Sequence, residues 1–278
     1  MRQGTLAVAG TKITYYDSGA PGTATGPAVV LLHGTGGSAY NNFWALFPML
    51  AMRHRVIAFD FVDPEDPAQV AETAHYTAQA TAVIEHLSPD EPVNLVGYSF
   101  GAVIAAALGA ERADLVENLV LVAGWARTDI QQRLRNDIWQ SLRLDRHPAL
   151  PGFMVLTAYS DAYLAARTET ELAEIVSRTA SGPDRLSKML FNRAVDISEQ
   201  IPRISSPTLV IGCAQDQMVP VRHARMLFGG IPDARYAEVG SGHAVVHERP
   251  AELFTLIDAF VKDPAKTRAG AVLSTGHA

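Results

Sequence analysis

Five short runs of almost uninterrupted apolar, β-branched residues restrict this chain to one broad class of fold. The runs lie at residues 28–32, 56–59, 93–96, 119–122 and 208–211. Continuous rather than alternating apolarity is typical of strands that are covered on both faces, as in the middle of a parallel sheet. Helix-length patterns separate or follow these runs, at residues 43–52, 68–87, 102–111 and 222–228. This alternation predicts an α/β fold with right-handed crossovers.

The two ends of the chain extend this prediction. Residues 5–9 and 12–16 flank Gly10-Thr11 and predict an antiparallel hairpin at the edge of the sheet. Residues 235–239 are expected to form the last strand, and residues 251–261 the closing helix. Residues 264–278 are rich in small residues and have no apolar period, so we expect a flexible tail there.

A long interval between the fourth and fifth runs predicts an insertion. A crossover needs only about a dozen residues, whereas residues 127–201 carry helical patterns without a strong strand candidate. We therefore expect a core of residues 1–126 and 202–263 with a helical lid at residues 127–201. Apolar lid residues should pack on the core, with some facing a pocket beneath: Trp139, Leu142, Phe153, Met154, Tyr159, Tyr163, Met189, Leu190 and Phe191.

Composition excludes several classes of partner. The chain has 278 residues, 48% hydrophobic and 19% charged, with a net charge of −6 and no Lys/Arg-rich block, which argues against nucleic acid. The start of the chain lacks a secretory pattern, and no stretch approaches about 18 uninterrupted apolar residues. We therefore expect a cytoplasmic protein without a membrane partner. Cys213, the single cysteine, excludes an internal disulfide and a cysteine-based zinc cluster, and is expected to be a buried structural thiol.

The segment Gly97-Tyr98-Ser99-Phe100-Gly101 lies between a predicted strand and the small, apolar residues 102–108. A G-x-S-x-G sequence between a strand and a helix holds its serine on a sharp, strained turn, where the hydroxyl is presented for nucleophilic attack. The glycines allow the tight turn and a close approach of helix to strand. Ser99 is therefore the predicted nucleophile, and the alternative is that it only caps the helix.

A serine hydroxyl needs a base, and histidine has a suitable pKa near neutral pH. His243 follows the last predicted strand in Gly240-Ser241-Gly242-His243, at the carboxyl edge of the sheet where the Ser99 turn also lies. His33 is expected to be structural, holding the next loop by hydrogen bonds. His247 follows His243 by one helical turn. The other histidines have no matching partner in the sequence: His54, His75, His86, His147, His223 and His277.

The base in turn needs a carboxylate that fixes its tautomer and stabilises the imidazolium. Asp216 follows the strand at residues 208–211 and is expected to emerge beside His243. Asp129 follows the neighbouring strand and is the alternative acid. A surface-loop aspartate without a catalytic role is the third interpretation of Asp216.

Acyl transfer also requires hydrogen-bond donors for the developing oxyanion. One donor is expected to be the backbone N–H of Phe100, at the amino end of the helix after Ser99. The second is expected from His33-Gly34-Thr35-Gly36-Gly37, at the N–H of Thr35. A phosphate cradle is disfavoured, because this run has neither a following Gly-Lys-Ser/Thr nor G-x-G-x-x-G. Expected pocket residues are Gly34, Tyr98 and Trp125, with Phe100 a further aromatic candidate.

Taken together, these motifs resemble the α/β-hydrolase superfamily over approximately residues 10–263. The His-Gly loop, the serine turn, and then acid before histidine follow the chain order of that family. The resemblance implies a nucleophile at Ser99, an acid at Asp216, a base at His243 and oxyanion amides at Thr35 and Phe100. One departure is Asp60-Phe61-Val62-Asp63-Pro64-Glu65, where many relatives have Asp-x-x-Gly-x-Gly, so the loop there should differ in shape.

The resemblance implies a serine hydrolase without cofactor or metal, which cleaves a carboxylic ester, thioester or lactone with a small apolar or aromatic acyl portion. The same superfamily includes carbon–carbon bond hydrolases, peroxide-forming enzymes, lyases, cyclases and acyltransferases, so a non-hydrolytic reaction is the alternative. A third possibility is a sensor that binds a small molecule under the lid. The sequence leaves the oligomeric state open.

Overall fold

The computed structural model describes residues 2–8, 10–22, 26–182 and 184–274, and in these ranges it contains one nine-stranded sheet of order β1-β2-β4-β3-β5-β6-β7-β8-β9. The strands are β1 (Arg2–Val8), β2 (Thr11–Asp17), β3 (Val29–Leu32), β4 (Val56–Phe59), β5 (Val93–Tyr98), β6 (Val116–Val122), β7 (Thr208–Cys213), β8 (Ala234–Val239) and β9 (Val272–Leu273). The β1–β2 and β2–β4 pairs are antiparallel. All other neighbours are parallel, which confirms the predicted α/β fold.

Twelve α-helices connect or follow the strands in the described ranges. They are α1 (Ala39–Phe43), α2 (Leu46–Ala51), α3 (Thr73–Leu87), α4 (Phe100–Glu111), α5 (Ile130–Leu144), α6 (Leu150–Ala158), α7 (Asp161–Ala165), α8 (Glu169–Ala180), α9 (Leu186–Ala194), α10 (Arg222–Gly230), α11 (Val245–Glu248) and α12 (Pro250–Lys262). The single helix predicted at residues 43–52 is instead two short helices. Pro48 lacks the N–H that would bond to the carbonyl of Trp44, where the first helix ends.

The apolar runs are continuous because each strand supplies two separate cores. Val30 and Leu32 of β3 pack into a cluster with α3, α4 and α10. Val29 and Leu31 pack into a second cluster with α1, α2, α11 and α12 on the other face of the sheet. A strand covered by helices on both faces has no solvent side that would favour polar residues. The sheet is thereby held rigidly, with its carboxyl edge available for a site.

Helices α5 to α9 form the connection between β6 and β7. Residues 127–182 and 184–201 contain no strand, only an isolated antiparallel bridge between Arg127 and Asp196 where the insertion leaves and rejoins the core. Trp139, Met154 and Met189 form a small buried cluster of their own within it. No helix among the described residues has the length and apolar character needed to cross a bilayer.

The expectation of a flexible tail is wrong for residues 264–274. Pro264–Lys266 form a 3₁₀ turn, and β9 pairs in parallel with β8, with Tyr236 opposite Val272. The N–H of Tyr236 donates to the carbonyl of Ala271 at 3.0 Å, a usual distance for such a hydrogen bond. The short strand covers an edge of β8 that would otherwise present unpaired backbone groups. Residues 275–278 lie outside the described residues.

Candidate active site

Ser99 lies on a strained turn between β5 and α4. Its φ of 56° and ψ of −119° are unusual for a residue with a side chain. The N–H of Ser99 donates to the carbonyl of Val122 at 2.8 Å, and a Cβ added at Gly101 would lie 2.1 Å from the carbonyl oxygen of Leu32. Only glycine permits that approach. The Ser99 side chain makes no capping hydrogen bond to α4, so the capping alternative is wrong.

The Ser99 hydroxyl instead meets His243, which follows β8. Ser99 Oγ lies 2.7 Å from His243 Nε2, and His243 Nδ1 lies 2.6 Å from Asp216 Oδ2. Since an ionised carboxylate only accepts hydrogen bonds, Nδ1 carries the proton and donates to Asp216. Nε2 is then free to accept from Ser99 Oγ. All three residues are buried, with 5–7% of their surface exposed.

Asp216 is fixed from two sides. Its Oδ1 accepts the backbone N–H groups of Met218 and Val219, both at 2.8 Å, while Oδ2 accepts from His243. The Asp216 side chain is fully buried. Three donors therefore hold this carboxylate in one orientation, aimed at the imidazole, and a surface-loop interpretation of Asp216 does not apply.

Asp129, the alternative acid, is used elsewhere. Its side chain caps α5 by accepting from the N–H of Gln132 at 3.0 Å. It also pairs with Arg222 and lies 3.1 Å from His223 Nε2. These contacts occupy the Asp129 side chain, and in the described ranges no hydrogen bond or ion pair joins it to His243.

Glu248 and Tyr98 hold the His243 loop, and only Tyr98 was singled out from the sequence, as a pocket residue. Glu248 Oε1 accepts from the N–H of Gly242 at 3.2 Å and from that of Ser160 at 3.0 Å, and Glu248 Oε2 accepts from Ser160 Oγ at 2.6 Å. Tyr98 Oη donates to the carbonyl of His243 at 2.9 Å. Burial raises the pKa of Tyr98 well above its usual value, which keeps that donor protonated.

The expected oxyanion donors lie beside the serine. Among the described residues, neither the N–H of Phe100 nor that of Thr35 has a hydrogen-bond acceptor. His33 supports the loop: its Nδ1 donates to the carbonyl of Gly34 at 2.9 Å, and its Nε2 accepts from the N–H of Phe61 at 3.0 Å. Burial lowers the pKa of His33 to about 4, so the ring is neutral at pH 7 and can make both bonds.

A cavity of about 110 Å³ opens above Ser99. The expected residues Gly34, Tyr98 and Trp125 line it. The Phe100 side chain does not: it is fully buried and packs edge-on against Tyr76 and Phe191. The prediction of a pocket role for the Phe100 ring is therefore wrong, because α4 turns that ring into the core.

Polar residues of the insertion complete the cavity, and sequence reasoning missed them. They are Gln132, Arg135, Asn136, Arg185 and Asn192, alongside the apolar Trp139, Met154 and Met189. Asn192 Nδ2 donates to Thr35 Oγ1 at 2.8 Å, which ties α9 to the oxyanion loop. A usable signal is the spacing of Gln132, Asn136 and Trp139 at i, i+4 and i+7, which puts two polar amides on the same inward helix face as a tryptophan.

The segment that departs from the family pattern also connects core and insertion. Asp63 accepts from Tyr76 Oη at 2.9 Å and from Lys188 Nζ at 2.6 Å. Lys188 lies on α9 and is buried despite its charge.

Cys213, at the end of β7, is buried, and burial raises the pKa of its thiol well above the usual value. This agrees with the predicted inert thiol.

Known proteins resemble the chain along most of its length. A family model described as the alpha/beta hydrolase fold matches residues 27–250. Pyrrolizixenacetamide deacetylase of Xenorhabdus hominickii is 30% identical over 243 residues, which cover 85% of this chain and 91% of that protein.

Solved structures share the fold at lower identity. The enol-lactonase of Burkholderia xenovorans superposes with a TM-score of 0.77 at 22% identity, covering 93% of this chain and 100% of that one. A meta-cleavage product hydrolase of Pseudomonas fluorescens gives a TM-score of 0.74 at 23% identity, covering 94% and 98%. These two structures show the shared fold. The family model and the 30%-identical relative establish that the chain belongs to the α/β hydrolase family.

Proposed function

We propose that this protein is a serine hydrolase that cleaves a carboxylic ester, thioester or lactone through an acyl-enzyme on Ser99. The observation that carries the proposal is the unbroken hydrogen-bonded series from Ser99 Oγ through His243 to Asp216, at 2.7 and 2.6 Å. Such a series makes a normally unreactive hydroxyl nucleophilic, because the imidazole removes its proton as attack proceeds.

In the first half-reaction, Ser99 Oγ attacks the substrate carbonyl carbon and its proton passes to His243 Nε2. The carbonyl oxygen becomes an oxyanion, which accepts from the backbone N–H groups of Thr35 and Phe100. Asp216 stabilises the imidazolium that forms. The bond to the leaving group then breaks, the leaving group takes the proton from His243, and the acyl group stays on Ser99.

In the second half-reaction, a water molecule takes the place of the leaving group. His243 accepts a proton from this water, whose oxygen attacks the acyl carbon, and the oxyanion forms again at the same two donors. Collapse releases the carboxylic acid and returns the proton to Ser99 Oγ. The small cavity and the apolar side chains of Trp125, Trp139 and Met154 favour a compact acyl portion.

A second candidate substrate class is the carboxylic amide. The relative from Xenorhabdus is named as a deacetylase of an acetamide, and it covers most of the chain at 30% identity. The same residues serve for an amide, because His243 would donate its proton to the departing nitrogen. Esters and amides of one acid, compared at equal concentration, distinguish the two classes.

The test combines active-site labelling with turnover. A fluorophosphonate should modify the wild-type protein once, at Ser99, as located by peptide mass spectrometry. Ser99→Ala should lose labelling and at least about 10⁴-fold in kcat on 4-nitrophenyl acetate. Ser205→Ala, at an exposed serine, is the matched control and should keep both. Labelling at another residue, or turnover retained in Ser99→Ala, would refute the proposal.

A further inference from the structure

Two arginines share the cavity with the serine and histidine. Arg135 projects from α5, and Arg185 immediately precedes α9. The cavity lining contains no aspartate or glutamate. In the part of the chain that the structure describes, neither guanidinium forms an ion pair. The cavity lining therefore holds two arginines and no carboxylate, and the nearby carboxylate of Asp216 is engaged by His243.

Neutral groups hold Arg135 in place. Its Nε donates to Thr157 Oγ1 at 3.2 Å, and its guanidinium carbon lies 5.8 Å from the centre of the Phe153 ring. Burial lowers the pKa of Arg135 to about 10, the carboxylate of Asp216 opposes that shift, and the charge of Arg185 adds to it. Arg135 is thus still charged at neutral pH, and a neighbouring cation acts on it.

Arg185 packs against the oxyanion loop. A Cβ added at Gly36 would lie only 2.1 Å from Arg185 Nε, so the guanidinium rests directly on that glycine. The adjacent acid, Asp184, pairs with Arg143 and accepts the backbone N–H of Arg185. Asp184 is therefore not an ion-pair partner of the Arg185 side chain. Burial lowers the pKa of Arg185.

Several arginines elsewhere in the chain have a carboxylate partner. Arg55 pairs with Asp17, and Arg193 pairs with Asp137. Acidic residues outnumber basic ones overall, with a net charge of −6, so acids were available to pair with the cavity arginines. An unpaired, largely desolvated cation costs free energy unless an anion completes the site. Two such cations in one cavity beside a nucleophile indicate an anionic ligand.

We propose that the natural substrate carries a carboxylate, and that Arg135 and Arg185 bind it while Ser99 attacks a nearby carbonyl of the same molecule. This inference rests on the proposed function and narrows its substrate class. The planar fork of a guanidinium matches the two oxygens of a carboxylate. The overall negative charge of the protein would repel an anionic substrate at long range, so selectivity for one requires the local pair.

The test compares substrates that differ only in charge. Monomethyl succinate and its carboxamide analogue, methyl succinamate, place the charge on the acyl side. Acetoxyacetate and acetoxyacetamide place it on the leaving-group side. We expect the carboxylate member of at least one pair to have a kcat/KM at least about tenfold higher, as expected for hydrogen bonds to a charged group. Equal or faster turnover of both neutral analogues would overturn the proposal.

Variants assign the selectivity to the two side chains. Arg135→Gln and Arg185→Gln should each lower kcat/KM for the preferred carboxylate substrate by about 10- to 100-fold, with the neutral analogue changed less than about threefold. Arg133→Gln is the matched control, since Arg133 is an exposed arginine two residues away on the same helix. A parallel loss on both members of the pair would show a merely structural role and overturn the proposal.

Binding measurements separate this proposal from the proposed function. Calorimetry with Ser99→Ala needs no turnover, and it should detect monomethyl succinate or acetoxyacetate but not the matching amide. Adding Arg135→Gln to that variant should abolish the difference. If Ser99 proves not to be the nucleophile, the measurement still shows whether the cavity binds a carboxylate in preference to its neutral amide. Indistinguishable binding of acid and amide in both pairs would overturn it.

Discussion

The two sides of the cavity are built in contrasting ways. On the sheet side, Ser99, His243 and Asp216 each have a defined partner, and backbone N–H groups fix the carboxylate. On the side of the inserted helices, Arg135 and Arg185 have no counter-charge among the described residues. Under the proposed function, the core supplies the three side chains that cleave the bond, whereas the inserted helices supply the two charged groups that await a ligand.

The packing follows the same division. The sheet side rests on two extensive clusters of buried residues, while the insertion has a small cluster of Trp139, Met154 and Met189. Phe191 and Val195 of the insertion pack into the larger core cluster, and polar contacts add to this attachment, notably Lys188 with Asp63 and Ser160 with Glu248. A region with fewer apolar contacts of its own opens at lower free energy than a packed core. Substrate entry is therefore expected to involve the inserted helices.

Among the changes that test this comparison, the largest effect should come from removing the charge of Asp216 behind the histidine. In Asp216→Asn the amide would donate to His243 Nδ1 and force the proton onto Nε2, where it can no longer accept from Ser99. We expect kcat to fall by about 10³- to 10⁴-fold with the fold retained. Asp129→Asn keeps a helix-capping side chain and should leave kcat within about twofold. If Asp129→Asn instead gave the larger loss, the assignment of the acid would be wrong.

A smaller effect concerns stability on the sheet side, at His33. The pKa of His33 is about 4 in the folded protein and about 6.5 in an unfolded chain, so only the unfolded chain binds its proton between these values. The contribution of His33 to the free energy of unfolding is therefore fully present above pH 6.5 and is lost as the pH falls toward 4. At 1.36 kcal/mol per pKa unit this contribution is about 3 kcal/mol. Protonation would also cost the hydrogen bond from Phe61.

Urea unfolding at pH 7.0, 5.5 and 4.5 measures this contribution. Other groups add to acid sensitivity, for example His223, whose pKa burial also lowers. The informative quantity is therefore how steeply the free energy of unfolding falls with pH in wild type compared with His33→Gln, whose side chain cannot gain a proton. A steep fall of equal size in both would contradict the assignment. Arg135, with a pKa of about 10, stays charged throughout this range and should contribute nothing to the difference.

The sheet side was predictable from sequence because local rules determine it. The five apolar runs located β3 to β7 to within a few residues, since strands covered on both faces allow few polar residues. The predicted hairpin and last strand located β1, β2 and β8. The serine turn was predictable because Gly97 and Gly101 serve one steric need. His243 and Asp216 followed from strand order, because parallel strands end at one edge.

The insertion side was not predictable in the same way. Arg135 looks like any helix-surface arginine until α6 and α9 are placed against it, and Arg185 is identified only by its contact with Gly36, about 150 residues earlier. Strand β9 was missed because its two residues carry no periodic signal, and it forms only where β8 offers an open edge. The positions of Arg135 and Arg185 and the formation of β9 all depend on contacts between distant parts of the chain, which no local sequence pattern indicates.

The smallest predicted effect lies where the two sides touch, at Gly36. Its φ of +68° favours glycine, and Gly19 has a similar φ of +70° with nothing within 4 Å of an added Cβ. Gly36→Ala and Gly19→Ala should thus lose a similar stability, about 1 kcal/mol. Only Gly36→Ala forces Arg185 to move, because its Cβ would overlap Nε.

The readout that separates the two variants is the ratio of kcat/KM for the carboxylate substrate to that for its amide. We expect Gly36→Ala to lower this ratio by about threefold to tenfold, equivalent to 0.7–1.4 kcal/mol of a charged hydrogen bond. Gly19→Ala should leave it unchanged. An equal loss on acid and amide in Gly36→Ala would mean that the new methyl group distorts the N–H of Thr35 rather than the position of Arg185. The proposed division, in which the core cleaves the substrate and the inserted helices select it, would then not hold at Gly36, where the two regions meet.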